Sequence, residues 1–549
     1  MDSKLSQLIS EAAVIITPTQ RLSRHIRYQF ATEQLAQGKQ VWQTPDCLPW
    51  TAWCKRSFEL LSFRTKQSAI LLNSLQQQWL WQDIIRQSKY KDQLLQITAT
   101  AKQAAQAYQL AKEWSVPIFP EDVYLSEDAY AFKTWVEVYE KQKKQNNWLD
   151  DACLAEYISE HSHELKPILS KIVFYDFDQL TAQQVNLKQA LIKADIDVEE
   201  INATNQNKLV SVSSQKNNQT EIIAAACWAK KQLEQDQNAS IGIIAPNLSA
   251  IRDKVEHGFA SVLMPKKYVS PETQQKPYSI SLGKALSSYP LIHAALNLLS
   301  LGKRKVSINT LSTLLHSPFI AGAEETATRA KFDAALRRIG EQQLSLKTLY
   351  WVAENKCKEY EQPEQFIQLI KTFEILFLSH SKSQTLRQWT TTFSEWLSGF
   401  GWPGERSLNS DEHQLMTAWQ TSLTQLASLD GISKPVNFST ALFQLNRILT
   451  ETRFQPETPE TPIQISGMTG AAGMQFDYLW IMGMQDDQWP ATMPVNAFIP
   501  INLQRQFNIP TSSAESQLNL AKSISDKLIN SAKEVVFSYA NQEGDRLCR

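Results

Sequence analysis

Four short apolar runs, Ala13–Thr17, Lys171–Tyr175, Ile241–Ala245 and Tyr478–Met482, each begin a strand-then-helix unit, and this recurrence limits the folds open to the chain. In the helix predicted over Gln20–Leu35, Leu22, Ile26, Phe30 and Leu35 share one face; Leu187 and Leu191 follow the second run, and Ile251 and Val255 the third. Strands alternating with helices predict parallel sheets, because a parallel pair needs a crossover connection that a helix supplies. From Ser57 to Leu165, and again from Tyr289 to Leu449, the pattern is almost wholly helical. The expected fold class is therefore α/β, with two parallel-sheet domains, each carrying a helical insertion. The first occupies residues 1–56 and 166–205 with its insertion at 57–165, and the second occupies 206–288 and 450–549 with its insertion at 289–449. Asn202–Lys208 and Gln455–Pro462 read as connectors, since turn residues crowd there without apolar periodicity.

A chain of 549 residues exceeds what one core supports, so several packed units are expected. Lys and Arg number 55 against 56 Asp and Glu, so bulk charge gives no sign of a nucleic-acid binder, and any such contact must use local patches. Lys141, Lys143 and Lys144, then Lys266-Lys267, Lys303-Arg304-Lys305 and Arg337-Arg338 are local basic clusters, each a solvated face or together the lining of a groove. The six cysteines form no C-x-x-C pair and no signal peptide opens the chain, so a reducing, cytoplasmic setting is expected, and no apolar run has the length of a membrane span.

Three segments carry candidate chemistry. In Val14–Arg27 a strand ends at Thr17-Pro18-Thr19 and starts a helix bearing Arg21, Arg24 and Arg27, which places free backbone N–H groups, a positive dipole end and basic side chains where a phosphate can sit. The alternative is an N-capped helix with a solvated basic face. Trp50 and Trp53, in Val41–Trp53, offer faces for base stacking or belong to the core. In Lys171–Thr181 an apolar strand ends at Asp176, followed by Phe177. In Gln464–Pro490, Gly467, Gly470 and Gly473 precede an apolar strand and allow close backbone approach to a phosphate or to another chain segment.

Taken together, Val14–Arg27, Val41–Trp53 and Gln464–Pro490, with the stretch Tyr278–Leu286 and Tyr289-Pro290, resemble the helicase-like B subunit of AddAB-type nucleases and related bacterial DNA-repair proteins. The resemblance runs from Ile15 to Asp545 and implies two helicase-like, RecA-like parallel-sheet domains that bind single-stranded or forked DNA. On this reading Thr17, Thr19, Arg21 and Arg24 lie on one side of the strand and Thr469 on the other, Trp50 stacks on a base, and an active helicase-nuclease subunit is the partner.

The departures from that family's active relatives point to lost motor chemistry. No G-x-x-x-x-G-K-[ST] run exists: the Gly-Lys pairs at Gly38, Gly283 and Gly302 have Glu33, Tyr278 and Asn297 five residues earlier. Phe177 stands where a helicase carries the Glu that orients water, Ala245 and Pro246 where an Arg reaches the nucleotide, and Ala472 and Gln475 where the glycine loop has Lys and Glu. No ATP hydrolysis and no cofactor are expected of this chain. Relatives carry a PD-(D/E)XK nuclease domain after the helicase-like body, with Mg2+ as its metal, so the chain also reads as the amino-terminal part of an exonuclease. A protein-interaction body that has lost DNA contact is the third reading.

Overall fold

The computed structural model describes residues 3–65, 69–118, 125–202, 209–265, 276–356, 363–456, 461–471, 473–492, 494–543 and 546–547. Ala472, Lys266-Lys267, Asp545, nearly all of the predicted connector Asn202–Lys208 and half of Gln455–Pro462 lie outside the described residues. Among the described residues no helix is long and apolar enough to cross a membrane.

The chain is mixed α/β, and its contacts divide it into two compact units, residues 1–281 with 460–549, and residues 282–459. The first unit holds two sheets. In one, β1 (Val14–Thr17), β2 (Cys47–Pro49), β3 (Lys171–Tyr175) and β4 (Asp197–Ile201) lie in the order β2-β1-β3-β4, all parallel. Every residue of β1 is buried, as expected of a strand covered on both faces. Helices α1 (Gln20–Ala36), α2 (Trp50–Thr65) and α3 (Ala182–Lys193) connect or cover these strands. Trp53, Ile158, Phe174, Leu187 and Leu191 form much of the core.

The second sheet is built from β5 (Leu209–Asn217), β6 (Ile241–Ile244), β7 (Tyr278–Ile280), β8 (Ile463–Ser466), β9 (Phe476–Ile481) and β10 (Ala532–Glu543). Their spatial order is β5-β10-β9-β6-β8-β7, all parallel, and β11 (Arg546–Leu547) adds an antiparallel edge to β10. Four helices bear on the site: α4 (Asn218–Gln235), α5 (Leu248–Leu263), the short α6 (Met468–Ala471) and α7 (Ala514–Ile529). Between β2 and β3 the chain forms the long helices Ser74–Gln87, Ile97–Glu113 and Glu127–Asn146. Trp81 of the first stacks on Tyr139 of the last at 4.4 Å.

The second unit is a helical body that includes the helical stretch read from the sequence at 289–449. Its start and end are clasped by an antiparallel pair, Lys284–Ala285 against Arg453–Phe454, and Tyr289 Oη donates to Phe454 O at 3.0 Å. A Cβ on Gly283 would lie 2.5 Å from that same carbonyl oxygen, which accounts for glycine at this point of the Tyr278–Leu286 stretch. Trp389, Trp396, Phe373 and Phe393 are fully buried in its aromatic core.

Candidate nucleic-acid interface

Because the strands of each sheet run parallel, the segments that leave β1, β2 and β3 emerge at one edge, the side on which α/β sheets bind ligands. The β1–α1 turn is fixed by side chain to backbone bonds. Thr17 Oγ1 donates to Thr19 O at 3.0 Å, and Thr19 Oγ1 caps α1 by accepting from the Leu22 N–H at 3.2 Å. Thr17, read from the sequence as a hydroxyl facing DNA, is instead fully buried, so its place is in the turn that aims the helix. Thr19 is half-buried and Arg24 exposed.

Arg21 and Arg24 have no carboxylate partner among the described residues. Burial, then the neighbouring Arg24 charge, holds the Arg21 guanidinium pKa below its usual range. A cation in that setting is stabilised by any anion that approaches it. Arg27 differs: its Nη2 donates to the Cys47 carbonyl and ties α1 to β2. Trp53 belongs to the core, and Trp50 is half-buried, its ring 5.9 Å from that of Trp53 and 6.2 Å from Phe174.

The loop that follows β8 reaches the same edge. Thr469 is exposed on α6, and a Cβ added to the adjacent Gly470 would lie 3.9 Å from Arg21 Nη1. The structure therefore brings Arg21 and the Thr469–Gly470 segment together. Gly473 closes the contact: its φ is +81°, and a Cβ there would stand 2.6 Å from Asp176 Oδ2 and 2.8 Å from Leu22 Cδ2. A side chain there would strain the backbone and force Asp176 or Leu22 to shift.

Asp176, at the end of β3, is buried with φ of 59°, a left-handed conformation that Asp tolerates better than most residues. Lys527 of α7 sits against it, its Nζ 2.9 Å from Asp176 O, 3.3 Å from Asp176 Oδ1 and 2.8 Å from Asp178 Oδ1. Phe177 is buried in the core of the first sheet, 5.6 Å from Phe174. The position that follows Asp176 thus holds a packed ring, and the carboxylates on either side of it are neutralised by an amine. Lys527 was missed in the sequence because nothing local distinguishes it from any lysine in the last turn of an amphipathic helix.

The sequence matches no protein-family model and no curated protein.

Proposed function

We propose that the chain is a non-hydrolysing, helicase-like scaffold in recombinational DNA repair, with two RecA-like halves in its first unit. It holds single-stranded or forked DNA for a partner helicase or nuclease. The observation that carries this reading is Arg21, which lies beside the Thr469–Gly470 loop and, like its neighbour Arg24, has no carboxylate partner among the described residues. Phosphates passing along this edge meet both guanidinium groups, the amino-terminal end of α1 and the Thr469 hydroxyl. The Lys527 bridge to Asp176 and Asp178 supports the absence of a motor, since it places a fixed ammonium where a magnesium nucleotide would need free carboxylates.

Photo-crosslinking tests the location. Single-stranded DNA carrying photoreactive thymine is expected to label peptides containing Arg21–Arg24 and Thr469. Labelling confined to the helical second unit, or none at all, contradicts the assignment.

A further inference from the structure

A second polar feature lies at the carboxyl ends of the second sheet. Behind β6 and β9, a cavity of about 170 Å³ opens between the first turns of α4 and α5. Ile222, Pro246, Ile251 and Met482 contribute apolar walls, Glu221 lines it, and the exposed Lys254 stands at its border.

Glu221 is only 3% exposed. Both of its hydrogen bonds fall on one oxygen: Oε1 accepts from the Gly483 N–H at 2.9 Å and from Ser538 Oγ at 2.6 Å. Ser538 is in turn held by Trp480 Nε1 at 2.8 Å, so the carboxylate is fixed in place. Oε2 accepts no hydrogen bond among the described residues. Burial raises the carboxyl pKa against the opposing effect of the Ser538 and Gly483 bonds. Oε2 is not sealed from solvent, so a ligand donor that replaces water there makes a charge-assisted hydrogen bond.

The size of the cavity selects the ligand. An apolar cavity of roughly 150 Å³ holds one benzene ring, whereas drug-sized ligands need about 300 Å³ or more, so this one takes a single flat ring system and not a whole nucleotide. Its position ties it to the proposed strand path. Ala245, in its wall, donates its N–H to Ser466 O at 3.0 Å, and Ser466 leads through Gly467 into the α6 loop that carries Thr469. Adjacent strands lie about 4.8 Å apart, so the cavity wall at Ala245 and the segment that leads to Thr469 leave neighbouring strands of one sheet at the same end.

We propose that this cavity receives one extruded base of the bound strand, guanine above the others, with N1–H and N2–H2 donating to Glu221 Oε2 and the neighbouring phosphate beside Lys254. Guanine is favoured because its Watson–Crick edge presents two adjacent donors to an acceptor-only group. Adenine and cytosine set a ring acceptor beside their amine, and thymine flanks its single N–H with two carbonyl oxygens. The inference rests on the DNA-binding reading above.

The test compares oligothymidylate with the same oligomer carrying one dG, dA or dC, using the full chain, Glu221→Gln and Ala250→Phe. Ala250 is exposed on α5 at the cavity, so the phenyl group blocks entry without disturbing Glu221 or the core. Equal melting temperatures confirm that each variant is folded. One dG is expected to tighten binding roughly tenfold, the scale of a good base contact, and both variants are expected to lose that gain while binding oligothymidylate unchanged. Salt-dependent oligothymidylate binding with no base preference, or a dG preference that survives in both variants, overturns this site and leaves the DNA-binding reading standing. If no oligomer binds the unaltered chain, that reading fails and this one with it.

Discussion

At the scale of single residues, the amino-terminal helix separates cations by what they touch. Arg27 is spent on the Cys47 carbonyl, whereas Arg21 and Arg24 have no carboxylate partner among the described residues. His25, between Arg24 and Arg27, has its Nε2 enclosed without a partner among the described residues, and burial lowers its pKa to about 4. Between that value and the ordinary 6.5, the unfolded chain binds a proton that the folded chain does not, so stability rises with pH across this window and is lost as pH falls from 6.5 towards 4. His25→Gln should remove this contribution, up to about 3 kcal/mol. Denaturant midpoints of both forms at pH 7 and pH 5 check it: the difference between them should shrink or reverse at the lower pH. An unchanged difference would show that His25 titrates normally.

At the scale of elements, the contact between β3 and α7 is the clearest coupling of the two sheets. Lys527 and Asp176 lie 351 residues apart in sequence and meet with little exposure. Removing the lysine strands a buried carboxylate, so Lys527→Met should destabilise by about 3 kcal/mol, the lower end for breaking a buried pair because the lysine keeps some water. Adding Asp176→Asn should recover part of that loss. A double-mutant cycle by chemical denaturation measures the coupling. Additive losses would mean that the bridge contributes nothing beyond its two separate side chains.

At the scale of the whole molecule, the elements legible in the sequence were those with continuous apolar runs. β1, β3, β6 and β9 announce themselves because each is largely buried. β5 and β10 do not. β5 is an edge strand with the sequence LVSVSSQKN, largely exposed, and its register against β10 is set by a partner more than 300 residues away. The site was legible in part for the same reason. Thr19, Arg21 and Asp176 lie at strand ends that local patterning locates, but the burial of Thr17, the approach of Gly470 to Arg21 and the placing of Lys527 depend on packing between distant segments. Glu221 went unnoticed because a lone Glu in the first turn of a helix is ordinary; its open Oε2 becomes meaningful only once β9 and β10 close around it.

A fluorescence titration with labelled single-stranded DNA across a range of salt concentrations tests the central claim most directly. Each phosphate contact contributes about 0.7 to the slope of log affinity against log salt. The account predicts a steep slope for the unaltered chain, weaker binding by the Arg21→Ala, Arg24→Ala double variant, and a slope shallower by about 1.4 for the two lost contacts. Absence of binding at low salt, or an affinity and slope unaffected by the double substitution, would contradict it.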